Sequence, residues 1–196
     1  MKKSTVSLLV IAGLLVIIIF GSISIYNKLV RYDEATQSAW GQVQNVYKRR
    51  ADLIPNLVAT VKGYAKHESG TLEAVIAARA KATQITVDAS NLTPEKLKEY
   101  QAAQGQLSSA LGKLMMIKES YPDLKANQNF LDLQAQLEGT ENRITEERRK
   151  FNEVVQEYNK AVRSFPASIF AGVFGFQKKA YFEAEASAAN APQIQF

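Results

Sequence analysis

Cysteine is missing from all 196 positions, and histidine occurs once, at His67. Disulfides, thiol catalysis and cysteine-ligated metals are excluded by that count. The pair His67-Glu68 opens the helical zinc-protease pattern, which needs a second His four positions after the first; that position is Thr71. A Ser-His-Asp arrangement would have only His67 as its base, and no G-x-S-x-G turn is present to carry its nucleophile. "GQLSSALGK" has glycines without the spacing of a phosphate loop. The carboxylate pairs Glu146-Glu147 and Glu183/Glu185 are of a kind common on solvated helix faces. Net charge is +5, but basic and acidic residues are interspersed apart from Lys48-Arg49-Arg50. A nucleic-acid binder shows a basic stripe interleaved with aromatics. The sequence therefore identifies no catalytic residue, no cofactor or metal, no small-molecule substrate and no nucleic-acid partner.

Charge is also missing from one long stretch. Between Lys3 and Lys28 no residue is charged. The run "VSLLVIAGLLVIIIFGSISIY" is apolar for about 20 residues, enough to cross a hydrocarbon core of about 30 Å as a helix. A cleaved signal peptide has a similar start, and "FGSIS" has small residues for cleavage. The run exceeds the usual signal core, so residues 1–27 are expected to be an uncleaved anchor. Lys2 and Lys3 on one side balance Lys28 and Arg31 on the other, so local charge does not set the orientation.

Proline and glycine are scarce where the pattern is longest. From Leu29, larger side chains recur by threes and fours: Tyr32, Thr36, Trp40, Val43, Val46, Arg50, Leu53, Leu57, Val61 and Tyr64. That is helix period. This helix is expected to reach the Thr86 region, with weak points at Pro55 and at Ser69-Gly70. Thr93 and Pro94 then form a start signal for a second helix, which ends at "YPDLKAN". A third starts near Asn127 and carries Phe130, Leu133, Leu137, Ile144, Phe151, Val154, Tyr158, Val162 and Phe165, with gaps at Thr140 and Glu147. Near-heptad spacing favours a left-handed antiparallel seam. The closing "PQIQF" is a weak strand candidate. The expected fold is all-α: an N-terminal transmembrane helix, an antiparallel bundle of long helices over 28–166, and an aromatic-rich cap and tail over 167–196.

Unbroken, the first helix would extend about 80–90 Å from the membrane, leaving "FPASIFAGVFGFQKKAYF" at the distal end. A true turn at Gly70 would return that segment towards the bilayer. Phe170, Phe174 and Phe176 are expected as a cap on the core, in preference to a membrane-touching or partner-binding patch.

The seam positions include charge. Arg50 and Glu147 fall on the seam, with Asp52, Glu68, Glu141, Asn142, Arg143 and Arg148 at its edges. Buried charge is costly unless paired. Two readings stand: ion pairs that fix register, with Arg50 reaching Glu141 or Glu147, or an interface with another subunit. Pro55 removes a backbone donor and clashes with the Ala51 carbonyl. Arg50, Asp52 and Asn56 surround that turn, which is expected as a polar-lined kink facing the third helix.

"YNKLVRYDEATQSAW", "RRADLIPNLVATVKGYAKHE", "ESYPDLKANQNF", "LEGTENRI" and "RRKFNEVVQEYN" follow one another in an order and spacing that resemble the LemA family. The resemblance runs from Tyr26 to Phe196 and takes in Tyr64, His67, Glu68, Tyr121 and Pro122. It implies a bacterial protein with a membrane helix and a helical bundle, and no enzyme activity or cofactor. Some relatives carry a lipoprotein-type cysteine before "YN", which places the bundle outside the cytoplasm. Here "GSISIYN" has none, so lipid attachment does not transfer, and only the sidedness favours an external bundle. The expected role is a scaffold of the bacterial inner membrane, self-associating and meeting other envelope proteins. Alternatives are a cytoplasm-facing adaptor or membrane-shaping protein, and a hydrolase using His67 and Glu68.

Overall fold

The computed structural model describes residues 3–183, with side chains from residue 9 onward. "PQIQF", Glu185 and Lys2 lie outside the described residues. Six α-helices follow in order: α1 Lys3–Tyr64, α2 Ser69–Gln84, α3 Pro94–Ile117, the short α4 Pro122–Lys125, α5 Gln128–Arg163 and α6 Ala167–Phe174. No strand occurs among the described residues, and the all-α architecture is as the periodicity predicts. Start signals act as expected. Thr93 Oγ1 accepts from Lys96 N–H, and Asn127 Oδ1 accepts from Phe130 N–H at 2.9 Å.

The first helix ends earlier than its pattern suggests. It stops at Tyr64, and residues 65–68 reverse the chain into α2. Ala65 is fully buried in this turn, and Glu68 N–H bonds back to the Ala65 carbonyl. The stretch "GYAKHESG" is bounded by two glycines, so little helix propensity opposes the turn. The apolar period continues into α2 because α2 also buries a stripe, Leu72, Val75 and Ala82. α1 and α3 thus run outward, and α2 and α5 return. Ten residues separate Trp40 from Arg50 on α1, and ten separate their partners Phe151 and Glu141 on α5.

The core is stacked in three apolar layers. The distal layer joins Ile54, Leu57 and Val61 to Leu107, Leu114, Phe130 and Leu137. The middle layer gathers Trp40, Tyr47, Tyr100, Phe151 and Phe182. The layer nearest the apolar part of α1 holds Leu29, Tyr158, Val162 and Ala171. Trp40 is 1% exposed, and its indole N–H donates to the Val87 carbonyl at 2.9 Å. Four expected seam positions shift by one residue: the buried neighbours are Tyr47 rather than Val46, Ile54 rather than Leu53, Ala65 rather than Tyr64, and Val155 rather than Val154. Phe165, expected in the seam, is 81% exposed, because α5 ends at Arg163.

The segment after α6 is extended and strapped to α5. Asn159 donates to the Lys179 carbonyl and accepts its N–H, both at 2.9 Å. Asn152 does the same for Phe182. One heptad separates the two asparagines, so both point to one side of α5. Phe182 is thereby held between Trp40 and Phe151.

Pro55 lies inside α1 on an exposed face and does not face α5. Asp52 and Asn56 are exposed beside it. The freed carbonyl is that of buried Ala51, and its donor comes from elsewhere: Arg79 Nε on α2, at 2.8 Å. The proline thus makes an acceptor available to the neighbouring helix. Arg79→Ala is expected to cost about 1–2 kcal/mol, because it leaves that buried acceptor unpaired. In a Pro55→Ala background residue 55 regains its N–H, and the cost of Arg79→Ala should fall by about 1 kcal/mol. Urea unfolding of the four proteins in mild detergent checks this; equal costs in both backgrounds would sink the link.

Candidate functional site

Between the distal and middle apolar layers lies a polar one. Its centre is Arg50, 1% exposed on α1. One guanidinium nitrogen donates to Ser108 Oγ at 2.7 Å and to Glu141 at 3.0 Å. The other donates to Gln104 Oε1 at 2.6 Å and to the Gln104 carbonyl. Gln104 in turn donates to the Ala82 carbonyl at 3.2 Å. One side chain is thus tied to α3 and α5 directly and to α2 through Gln104. Arg50 Cζ also lies 5.1 Å from the Tyr47 ring centroid, and Nε has no acceptor. A fork of rigid donors suits this junction, where a lysine would offer a single point charge.

The pairing settles which carboxylate Arg50 meets: Glu141, not Glu147. Glu147 lies a turn and a half further along α5 and pairs with Lys150 at 2.9 Å on that helix's own surface. Glu141 is about half exposed, so one end of the ion pair stays solvated. Asn142 and Arg143 face outward on α5. The Arg50–Glu141 pair therefore belongs to the fold of a single chain rather than to a subunit contact. Tyr100, one turn before Gln104, has its pKa pushed well above the ordinary tyrosine value, first by burial and then by nearby Tyr47. A cleft of about 400 Å³ opens beside Arg50, lined by Tyr47, Gln101, Gln104, Ser108 and Glu141 among others.

A second set lies at the distal end. Tyr64 Oη accepts from Asn127 Nδ2 at 2.8 Å, and Tyr121 Oη donates to Glu68 at 3.2 Å. These bonds join the α1–α2 turn to the α3–α5 connection. Partial desolvation and the Glu68 carboxylate both raise the Tyr121 pKa. Pro122 opens α4, where its missing N–H is no loss. His67 is exposed in the turn. Its neighbour Glu68 is engaged by a tyrosine, and among the described residues no three metal-ligating side chains converge.

The sequence pattern thus brings Arg50 to Glu141, and Tyr64, Glu68 and Tyr121 to the two distal turns. It passes over Gln104, Ser108, Arg79, Asn152 and Asn159. Ser, Gln and Asn on a helix are ordinary surface residues by composition, and only the facing helix shows otherwise. Asn152 and Asn159 do share a heptad position, which was a visible signal.

A conserved-family model, the LemA family, matches residues 39–196. That span takes in Arg50, the distal turns, Trp40 and the strapped tail. The chain belongs to the LemA family. Among its relatives, Protein LemA of Metamycoplasma hominis is 28% identical over 158 residues, covering 81% of this chain and 68% of the relative. Magnetosome protein MamQ of Magnetospirillum gryphiswaldense is 34% identical over 92 residues, covering 47% of this chain and 34% of that one. Magnetosome protein MamQ 2 of Paramagnetospirillum magneticum is 26% identical over 190 residues, with 86% and 68% covered. Together with the exposed apolar helix, this LemA-family chain is a membrane-associated helical protein.

Arg50→Ala removes the hub and leaves Gln104 and Ser108 without their donor. It is expected to cost about 2–4 kcal/mol, from the cavity and the acceptors left unpaired, since the carboxylate left behind is half solvated. Glu141→Ala leaves the buried guanidinium without its counter-charge and is expected to cost about 3 kcal/mol, even though Arg50 keeps its α3 acceptors. Denaturant midpoints in mild detergent check both; a near-neutral Glu141→Ala would refute the role of the pair.

Proposed function

We propose that this LemA-family chain is a single-pass, membrane-anchored scaffold that self-associates and engages other envelope proteins without catalysing a reaction. One observation carries the reading. The apolar part of α1, with a mean hydropathy of 2.7 over its best window, has none of that window buried in the chain, yet runs without a break into the helix at the centre of the bundle. A span that is also the core helix couples the bundle rigidly to the bilayer. Side chains in the interior are used for holding helices together, as at Arg50. The charged outer faces of α1 and α5 are left to meet other chains. Confinement to the membrane plane raises the effective concentration of such contacts.

The orientation proposed is N-terminus in the cytoplasm and bundle outside, at the inner membrane of a bacterium. The chain has no cysteine of its own, so one label reports cleanly. Lys66→Cys, exposed in the distal turn, should react with a membrane-impermeant maleimide in intact spheroplasts. Reaction only after lysis would favour the cytoplasm-facing adaptor. Self-association is checked by light scattering of the full-length protein in mild detergent. A discrete oligomer is expected; a monomer at all concentrations would shift the reading to an adaptor acting through a different protein.

A further inference from the structure

The aromatic segment is not at the distal end. α5 returns to the level where the apolar part of α1 ends, and α6 packs there. Tyr26 touches Phe174 and Phe176 edge-on, with centroids 5.0 and 5.9 Å away. Ile25 and Leu29 line one small cleft with Phe165, Pro166 and Ala167. The expected cap is thus displaced. Ala171 is buried, and Phe170 and Phe176 are half-buried, but all of them are at the membrane-proximal end. The turn at residues 65–68 is the reason, because it makes α5 a returning helix.

α6 has a second face that nothing in the described chain covers. Phe165, Ile169 and Val173 are 81%, 58% and 75% exposed. Ile169 and Val173, four apart, lie on one side of α6, opposite Ala171, and Phe165 stands just before the helix. The helix "ASIFAGVF" is apolar nearly all round, which in a water-facing helix is unusual. It holds its place through a C-terminal cap. Gly175 takes φ 78°, a left-handed value suited to glycine, and Phe176 N–H bonds to the Ala171 carbonyl at 2.9 Å.

Basic residues predominate around it, although Glu157 lines the cleft beside Phe165 and Glu34 is exposed nearby on α1. Lys28 and Arg31 on α1, Lys160 and Arg163 on α5, and Lys178 after α6 are all exposed at this end. Lys179 is used internally, in an ion pair with Asp33 at 2.7 Å. Lys28 is also the first charge after the apolar run, so this level is where a spanning α1 would leave the hydrocarbon.

We propose that α6 is a membrane-interface helix: its Ile169–Val173 face, with Phe165 just ahead of it, sinks into the headgroup–acyl boundary of the leaflet from which α1 emerges, while the surrounding lysines and arginines meet anionic headgroups. The occupant is lipid rather than another protein because α6 packs against the end of the span itself, with Tyr26 on Phe174 and Ile25 sharing a cleft with Phe165. An apolar face with a basic surround is what an interfacial helix presents to an anionic surface. The bundle is then held to the bilayer at two points, one spanning and one lying in the surface. Two points fix its tilt; one does not. This inference rests on the anchored reading above.

The test uses the full chain in vesicles of phosphatidylcholine and phosphatidylglycerol, with lipid brominated near the top of the acyl chains to report on α6 and, in a second preparation, deep in them to report on the span. Trp40 is the one native tryptophan and is buried in the bundle, so its emission is a constant background. Val173→Trp places a fluorophore on that face at an exposed position, and Ile169→Trp is a second probe should the first perturb the fold. Leu14→Trp reports on the span. The expected result is strong quenching by brominated lipid for Val173→Trp and Ile169→Trp, as for Leu14→Trp, with Trp40 little affected. Quenching of Leu14→Trp alone would overturn the interfacial helix and leave the anchor standing. In that case blue-shifted α6 emission would show a protein partner on the face, and water-like emission a free face. If Leu14→Trp is also unquenched, the anchored reading falls and the inference with it.

Discussion

A guanidinium with almost no exposure is the constraint around which the bundle is arranged. Burying Arg50 is unfavourable unless its donors are met, and the acceptors that meet them stand on α3 and α5, with α2 joined through Gln104. The apolar layers on either side would pack in more than one register, since Leu, Ile and Val are interchangeable in shape to a first approximation. The Arg50 layer would not. A slip of α5 by one turn would take Glu141 away from the charge, and a slip of α3 would remove Gln104 from both Arg50 and Ala82. The polar layer thus contributes less to total stability than to choosing one alignment among several.

The same logic recurs nearer the membrane. Thr36 and Asn159 are buried between the middle and proximal layers. Thr36 bonds to the carbonyl one turn back, which spends its hydroxyl locally. Asn159 instead faces the tail and matches both backbone groups of Lys179. With Asn152 it supplies the pairing that a neighbouring strand would give, and so a chain segment without secondary structure is held as firmly as one with it. Phe182 then fills the middle layer beside Trp40, which makes the tail part of the core.

Helix content, caps and the antiparallel seam were legible because each depends on residues near one another in sequence. Thr93-Pro94 and Asn127 start helices for local reasons, and the structure uses both. The α1–α2 turn was obscured because an apolar period of 3.6 persists through it. Val61 and Leu72 both carry the pattern, though they sit on different helices. That one turn, visible in the sequence only as a weak point at Ser69-Gly70, reverses the direction of everything after it and decides between the two ends that spacing left open to the aromatic segment. The Arg50–Glu141 contact could be narrowed to two carboxylates from spacing, and only the register chose between them. Pro55 shows the limit most clearly. Its own neighbours were the natural donors for the freed carbonyl, but Arg79 lies 28 positions away from Ala51 and no periodicity connects them.

These elements have a common mechanical consequence. α1 is at once the apolar segment, the helix that carries Trp40 and Arg50, and the helix whose proline gives α2 its docking acceptor. A force or tilt applied to the apolar end is transmitted along a continuous hydrogen-bonded rod into the layer that fixes register. α5 and the strapped tail return to that same end, so the rod is braced where it would otherwise flex. A bundle held this way presents its outer faces at a fixed angle to the bilayer. Fixed presentation lowers the orientational cost of each lateral contact. In the scaffold proposed above, that is a reason to build the membrane segment and the central helix as one.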